Sequence, residues 1–176
     1  RRQRQMCIRD RFGDGAGAAY LEESDKGIIS VVQGSIGKKG MVLNCESRRT
    51  HNIFTEDGIE HDYLHMDGQE VYKFAVRQCP KCLLEALEKA DMTADDIDYF
   101  VLHQANVRII ESVAKRLKAP IEKFPMTLGY TGNMSAASVP VMLDSLVRDG
   151  GLKRGDKVAM SAFGAGLTYG AIVLEW

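Results

Sequence analysis

The 176-residue sequence lacks several features that would place it in a specialised class of protein. It contains no apolar run long enough to cross a bilayer, and its start, "RRQRQMCIRDR", lacks the apolar stretch of a signal peptide. Its 23 Lys and Arg against 24 Asp and Glu leave a net charge of −1, which gives no whole-chain reason to expect nucleic acid as a partner. We therefore expect a cytoplasmic protein that binds neither membranes nor nucleic acid.

Cysteine is also scarce. The four cysteines are too few and too unevenly spaced for a disulfide framework in a chain of this length, so reduced thiols are expected: Cys7, Cys45, Cys79 and Cys82. By contrast, 45% of the residues are hydrophobic, which is enough to bury a sizeable core. The chain is interpreted as one domain, or as part of a larger one.

The beginning of the chain differs from the rest. Residues 1–11 are polar and carry five arginines, and we interpret them as a non-native segment, an assembly or cloning remnant, ahead of a domain spanning 12–176. The apolar segments "AAYL" and "GIISVVQGSIG" predict two strands joined near residues 24–27. A loop-rich stretch is expected from about residue 38 to 67.

Alternating helices and strands are predicted for the remainder. The segment "GQEVYKFAVRQCPKCLLEALEKADM" has apolar residues at helical spacing, but Pro80 predicts two helical pieces or one bent helix. "IDYFVLH" predicts a buried strand, and Asn106 then caps a helix that stops before Pro120. Another helix follows "GNMSAAS" and ends at Gly150 and Gly151, before strands in "DKVAMSAF" and "LTYGAIVLEW". The order β-β-α-β-α-β-α-β-β predicts an α/β layered domain with a mixed sheet.

Two polar residues stand where such a fold binds ligands, at the carboxyl ends of strands where helices begin. His103 lies at one such junction, and the helix dipole there favours a neutral imidazole that donates through one ring nitrogen. Asn133 lies in a glycine-containing turn before the next helix. Two uncharged donors that converge on one carbonyl oxygen would stabilise an enolate or a tetrahedral oxyanion. On spacing alone, a satisfied buried histidine and an ordinary turn asparagine remain the commoner explanation.

Four motifs in order, "FGDGAGA", "HQANVRII", "GNMSAASVP" and "AFGAGLTYG", resemble the C-terminal half of β-ketoacyl-acyl-carrier-protein synthase III. The resemblance covers residues 12–176. It implies a thiolase-like fold, of which this chain is one half of a duplicated five-layer αβαβα unit. It also implies an acyltransferase of fatty acid synthesis, which moves an acetyl-type acyl group from acyl-CoA to a cysteine and condenses it with malonyl-acyl carrier protein. Intact family members are homodimers and use no metal or other cofactor.

The resemblance assigns roles to seven residues. His103 and Asn133 match the pair that hydrogen-bonds the malonyl thioester oxygen during decarboxylation. Phe163 matches the aromatic residue beside the reacting cysteine, and the backbone N–H of Ala165 matches an oxyanion donor. The other three match residues that contact the pantetheine arm (Asn106) and dock the acidic carrier protein (Arg108 and Lys73), although exposed charges are more often only a solvated helix face.

The sequence also departs from the family pattern. The family nucleophile is a cysteine of the N-terminal half, which is absent here, so this chain alone is expected to be inactive. "YTGNMS" stands where the family often has "YGNTS", with Thr131 inserted and Met134 in place of Thr, and Tyr169 replaces a frequent Trp. Two alternatives stay open: a related thiolase-fold synthase that uses CoA substrates, and a non-catalytic interaction module that pairs with a separate first half.

Three other motifs suggest different chemistry and are set aside. Cys79 and Cys82 form one CxxC pair in a predicted helix, where packed or partly exposed thiols are commoner than a redox or zinc site. His61 and His65, with His51 or Asp62, have a spacing that suits a metal only if a third ligand is held rigidly. The glycine patterns "GDGAGA" and "GAGLTYG" precede β-like sequence instead of a helix, which excludes a dinucleotide fingerprint.

Overall fold

A four-stranded mixed sheet forms the centre of the computed structural model, which describes residues 12–45 and 64–176. Its strands are β1 (Ile28–Ser35), β4 (Tyr99–Leu102), β5 (Lys157–Gly164) and β6 (Thr168–Glu175), in the order β1-β6-β5-β4. The β1–β6 and β5–β6 pairs are antiparallel, whereas β4 and β5 are parallel. The predicted α/β architecture with a mixed sheet is confirmed.

Four α-helices accompany this sheet in the described part of the chain. They are α1 (Gly68–Lys89), α2 (Val107–Leu117), α3 (Leu128–Thr131) and α4 (Ser138–Arg148). Two short strands, β2 (Leu43–Asn44) and β3 (His65–Met66), pair antiparallel in the segment predicted as loop-rich. The sequence did not predict β2, β3 or the single turn of α3, because each is too short to show a hydrophobic period.

The sheet is covered on both faces. Successive side chains of a strand point to opposite faces, and in β4 Phe100 and Leu102 join the core that packs under α1 and α2. Val101, between them, joins a second core with Met142 and Leu146 of α4. The described residues therefore form three layers, with two helices on one face and one on the other.

Helix α1 runs without interruption through Pro80, so of the two predicted alternatives the single helix forms and the two separate helical pieces do not. A proline removes one backbone hydrogen bond from the interior of a helix. Here that loss is offset by burial on both sides of the proline, because Phe74, Ala75, Leu83 and Leu87 all lie in the core. Tertiary packing outweighs the local penalty.

Helix α2 forms as the sequence predicts. The Oδ1 atom of Asn106 accepts a hydrogen bond from the backbone N–H of Arg108 at 2.9 Å, which satisfies one free donor at the helix start. The predicted apolar face is buried: Ile110, Val113, Ala114 and Leu117. The helix ends on Lys118 in the left-handed conformation, two residues before Pro120. This fixed helix start matters because the residues just before it belong to the candidate site.

The segment "AAYL" (residues 18–21) is not a strand, so the first of the two strands predicted at the start of the domain is wrong. Tyr20 and Leu21 are 87% and 80% exposed. Strand β1 instead forms its ladder with β6, a partner of eight residues that matches its own length. Apolar content predicted an extended segment, but a strand also needs a neighbouring backbone to bond.

Two further expectations concern membrane-spanning segments and the start of the chain. No helix in residues 12–45 or 64–176 is long and apolar enough to cross a membrane. The predicted non-native segment, residues 1–11, lies outside the described residues and stays a prediction.

Candidate active site

A cavity of about 300 Å³ brings most of the predicted site residues together. Among the residues that line it are His103, Asn133, Asn106, Phe163 and Ala165. These come from three places in the chain: the loop between β4 and α2, the loop before α4, and the end of β5 with the turn that follows it. The sequence predicted that these motifs belong to one site, and the fold brings them to one cavity.

His103 follows the last residue of β4, and its backbone N–H bonds the carbonyl of Ser161 in the neighbouring strand at 2.9 Å. Its imidazole meets the ring of Phe163 edge-on, with centroids 5.2 Å apart. Burial lowers the pKa of His103 from 6.5 to about 4, because an imidazolium would lose its hydration there. A pKa this low favours the neutral imidazole expected from the sequence, with burial, not the helix dipole, as the cause.

Asn133 is held by its side-chain oxygen and by its backbone. Oδ1 accepts a hydrogen bond from the backbone N–H of Ser135 at 2.8 Å, so both N–H bonds of the amide remain available to donate. The backbone carbonyl of Asn133 accepts from the N–H of Gly13 at 2.9 Å. These two bonds fix the loop that presents Asn133 to the cavity.

The first motif, "FGDGAGA", packs its glycines against that same loop. A Cβ atom on Gly13 would lie 1.8 Å from the backbone oxygen of Thr131, and one on Gly15 would lie 2.4 Å from the sulfur of Met134. At Gly13 two backbones approach too closely for any side chain, whereas at Gly15 the space is filled by the Met134 side chain. Thr131 and Met134, the departures from the family pattern, therefore take part in this packing while Asn133 still lines the cavity.

Two buried polar residues that the sequence analysis did not single out support the site. Gln104 is fully buried: its Nε2 donates to the carbonyls of Leu102 (2.9 Å) and Pro125 (3.4 Å), and its Oε1 accepts from the N–H of Thr127 (3.2 Å). Ser138, also fully buried, places its hydroxyl oxygen 2.7 Å from Nδ1 of His103. Both stand inside motifs quoted above, Gln104 in "HQANVRII" and Ser138 in "GNMSAASVP", but no sequence signal links Ser138 to a histidine 35 residues away.

Asn106 and Ala165 lie at the rim of the cavity. The Oδ1 atom of Asn106 is committed to the cap of α2, which leaves its amide N–H bonds as donors. Ala165 is exposed in the turn between β5 and β6, and its carbonyl accepts a hydrogen bond from Oγ1 of Thr168 at 3.0 Å. The carbonyl of Ala165 thus holds the turn, while the residue itself lines the cavity.

Arg108 and Lys73, the predicted docking residues, do not line the cavity, and both are exposed. Arg108 stands in the first turn of α2. Lys73 lies in α1, where its Nζ contacts Oε1 of Glu70 at 2.9 Å, and Lys39 contacts the other oxygen of Glu70 at 3.0 Å. These hydrogen bonds, to Lys73 first and then to Lys39, lower the pKa of Glu70 to about 2.

The metal and redox motifs do not assemble into sites in the described residues. Cys79 and Cys82 are both buried in α1, which confirms the expectation of packed thiols, and burial raises the pKa of Cys79 to about 12. His65 stands on the exposed strand β3 instead of a helix, while His51, His61 and Asp62 lie outside the described residues. Within residues 12–45 and 64–176, no group of three His, Cys, Asp or Glu side chains is placed to hold a metal ion.

Comparison with known proteins matches residues 87–176 to the family described as 3-oxoacyl-[acyl-carrier-protein (ACP)] synthase III C terminal. The chain belongs to this family. It is 46% identical to the β-ketoacyl-[acyl-carrier-protein] synthase III of Synechococcus sp. (strain WH7803) over 98% of this chain and 52% of that protein. The chain thus spans about half the length of the curated relatives it matches.

Solved structures of synthase III proteins agree with this assignment. The enzyme from Aquifex aeolicus VF5 superposes with a TM-score of 0.77 at 34% identity, over 89% of this chain and 46% of that one. The enzyme from Thermus thermophilus gives 0.76 at 40% identity, over 88% and 47%. The thiolase-like fold that the sequence motifs implied is therefore confirmed, and the chain corresponds to the C-terminal part of a synthase III.

Proposed function

We propose that this chain supplies the decarboxylation site of a β-ketoacyl-acyl-carrier-protein synthase III. The proposed whole reaction joins an acetyl-type acyl group, delivered by acyl-CoA to a cysteine of the first half, to malonyl-acyl carrier protein. The products are 3-ketoacyl-acyl carrier protein, CO₂ and CoA. The observation that carries the proposal is that His103 and Asn133, one neutral imidazole and one carboxamide, line the same cavity.

The proposed chemistry needs donors where negative charge develops. When the malonyl carboxylate leaves as CO₂, the electron pair of the broken C–C bond passes to the thioester, whose oxygen becomes an enolate oxyanion. N–H donors from His103 and Asn133 stabilise that oxygen, and the enolate carbon then attacks the acyl thioester on the cysteine. An imidazole with a pKa of about 4 is neutral at pH 7, so it donates without first having to lose a charge.

The proposed reaction needs no redox cofactor, because its electrons balance without one. The pair that forms the new C–C bond comes from the bond to CO₂, so no oxidant or reductant takes part. We therefore propose that acyl-CoA and the malonyl group on a phosphopantetheine arm are substrates, with no metal or other cofactor. A cytoplasmic homodimer, as the family resemblance implies, is part of the same proposal.

Three other residues have proposed roles at the cavity. Phe163 packs its ring against His103, which limits water beside the developing oxyanion. The backbone N–H of Ala165 is proposed to stabilise the oxyanion formed on the acyl thioester of the cysteine. Asn106, through its amide N–H bonds, is proposed to contact the pantetheine arm.

Arg108 is proposed as the main carrier-protein contact, with Lys73 in a smaller role. Arg108 occupies the first turn of α2, where the helix dipole disfavours a cation, so its position is not explained by helix stability. Lys73 is paired with Glu70, which neutralises part of its charge towards a partner. An exposed cation suits an acidic partner mainly by speeding association.

The test is a reconstituted enzyme in which this chain replaces the matching half of the Synechococcus relative, whose first half supplies the cysteine. We expect CO₂ release from malonyl-acyl carrier protein, falling by about 10²–10³-fold in His103→Ala and in Asn133→Ala. Asn44→Ala is the matched control, because this carboxamide bonds the carbonyl of Met41 and lies outside the cavity lining. Unchanged CO₂ release in both site variants would refute the proposal, and equal rates with malonyl-CoA would favour the CoA-using alternative.

A further inference from the structure

The loop that carries Asn133 is held from outside by the first residues of the domain. Phe12 and Asn133 form a parallel β-bridge, and the backbone N–H of Gly13 donates to the carbonyl of Asn133 at 2.9 Å. The next loop residue, Met134, packs against Gly15, where an added Cβ would lie 2.4 Å from Sδ, 3.2 Å from Cγ and 3.3 Å from Cβ of the methionine. The contact therefore runs along the methionine side chain and is not confined to its end.

Met134 is buried, but it belongs to neither of the two hydrophobic cores. Its exposed fraction is 7%, and neither core of residues 12–45 and 64–176 includes it. The segment that contains Gly15 is therefore part of what covers the thioether. A glycine leaves room for an unbranched, adaptable side chain, which suits methionine. Because the family often has the shorter Thr at this position, the contact distinguishes this chain.

The loop needs outside support, because its backbone is strained at the residue after Met134. Ser135 has a φ of +53°, in the left-handed region that residues with a side chain rarely adopt, and such a conformation persists only where surrounding contacts hold it. The hydroxyl of Ser138 holds it on one side by donating to the carbonyl of Ser135 at 2.9 Å. Because the N–H of Ser135 bonds Oδ1 of Asn133 at 2.8 Å, relaxation at Ser135 would turn the Asn133 amide. The packing of Met134 on Gly15 opposes that relaxation from the other side.

We propose that Met134 is a positioning residue for Asn133: packed on Gly15, its side chain holds the loop so that the Asn133 amide faces the cavity. The inference rests on the proposed function, in which that amide stabilises the enolate oxygen. Met134 does not line the cavity, so it acts on the reaction only through Asn133. Its loss should impair the step that forms the enolate and spare the steps that do not need Asn133.

The first test compares two steps in the reconstituted enzyme. Met134→Ala should lower kcat for CO₂ release from malonyl-acyl carrier protein by about tenfold, because the amide is misplaced. Transfer of an acetyl group from acetyl-CoA to the cysteine should stay nearly unchanged. Met134→Leu, which conserves volume, should restore most of the rate. Unchanged CO₂ release in a folded Met134→Ala, where Asn133→Ala loses it, would overturn the inference.

Met142→Ala is the matched control. Met142 is a similarly buried methionine of α4, 5% exposed, and it does not line the cavity. Its replacement should lower the free energy of unfolding but leave the ratio of CO₂ release to acetyl transfer unchanged. An equal fall of that ratio in both methionine variants would mean that Met134 is only structural, against the inference.

Gly15 gives a second way to disturb the same contact. Gly15→Ala should slow CO₂ release, and the double variant with Met134→Ala should be faster than the product of the two single effects, since the smaller side chain makes room. Gly13→Ala should not be rescued by Met134→Ala, because its methyl group would lie 1.8 Å from the backbone oxygen of Thr131. Independent effects of Gly15→Ala and Met134→Ala would contradict the proposed contact.

The mobility of the Asn133 amide tests the inference without turnover. The ¹⁵N–¹H NOE of this side chain in the 176-residue chain, assigned from Asn133→Ala, should be high and should fall in Met134→Ala but not in Met142→Ala. An amide that stays rigid in Met134→Ala would refute the positioning role. An amide that loosens while CO₂ release stays unchanged would instead refute the proposed function, so the two failures are distinguishable.

Discussion

The side-chain oxygen of Gln104 accepts a hydrogen bond from the backbone N–H of Thr127 at 3.2 Å, deep in the core. The same amide group donates to the carbonyls of Leu102 and Pro125. One residue therefore joins the end of β4, which presents His103, to the segment that leads through α3 to Asn133. The two halves of the candidate site are held to each other by a buried carboxamide.

Replacing that carboxamide tests its role in stability. Gln104→Leu keeps a side chain of similar size but leaves the N–H of Thr127 buried without its partner, so the free energy of unfolding should fall by about 1–3 kcal/mol. Urea unfolding followed by circular dichroism measures the change. Gln69→Leu, at an exposed position of α1, should change stability by less than about 0.5 kcal/mol. Equal midpoints for the two variants would show that the Gln104 bonds contribute nothing net.

His103 predicts how stability depends on pH. Its folded-state pKa of about 4 lies below the ordinary 6.5, so between these values the unfolded chain binds a proton that the folded chain does not. The contribution of His103 to the free energy of unfolding is therefore complete above about pH 6.5. It is lost as the pH drops towards 4, which lowers the free energy of unfolding by on the order of 3 kcal/mol. Urea midpoints at pH 7 and pH 4.5 measure this loss.

The variant His103→Gln removes the titrating group and should flatten that part of the profile. Comparing each protein with itself at the two pH values cancels any constant cost of the substitution. If the unmodified chain and the variant lose the same stability between pH 7 and pH 4.5, His103 is not buried in its neutral form.

Much of this architecture was predictable from periodicity and end signals. Helix α2, for example, combines an asparagine cap, a regular apolar face and a proline beyond its end, and each signal agrees with the others. Pro80 could be interpreted only in part. The sequence shows the cost of a proline inside a helix, but the burial that offsets this cost depends on the whole fold. The strand predicted for "AAYL" was wrong for a related reason, because strand formation depends on a partner strand that the local sequence does not specify.

The candidate site was predicted from family motifs, whereas the helices and strands were predicted from periodicity. His103, Asn133, Phe163 and Ala165 were identified through motifs that resemble a family, and the fold brings them to one cavity. Ser138 was not identified, because its contact with His103 joins residues 35 apart in sequence across two elements. Periodicity reports which face of a helix is buried, but it does not report which buried hydroxyl meets which ring nitrogen.

Arg108 offers a way to separate docking from stability. In the reconstituted enzyme, Arg108→Glu should lower kcat/KM for malonyl-acyl carrier protein by roughly tenfold, about 1.4 kcal/mol, and weaken its dependence on salt. The same substitution should not destabilise the chain, because an anion in the first turn of α2 suits the helix dipole by about 0.3–1 kcal/mol. Lys73→Glu should have the smaller effect on kcat/KM. A larger effect at Lys73 than at Arg108 would contradict the assignment.

The thiols of α1 should be unreactive in the folded chain. Burial raises the pKa of Cys79 to about 12 and also raises that of Cys82, so almost no thiolate is present at pH 7.5. Iodoacetamide followed by peptide mass spectrometry should label exposed Cys45 before Cys79 or Cys82, and should label all three in urea. Rapid alkylation of Cys79 without denaturant would show that α1 opens or that its thiols are not packed.

The central claim is that His103 and Asn133 donate to one and the same thioester oxygen. It is tested most directly by the infrared frequency of a ¹³C-labelled thioester carbonyl in acetoacetyl-pantetheine bound to the reconstituted enzyme. Each hydrogen bond lowers that frequency, so we predict that His103→Ala and Asn133→Ala each raise it and that the double variant raises it further. A bound carbonyl whose frequency responds to neither substitution would contradict the account.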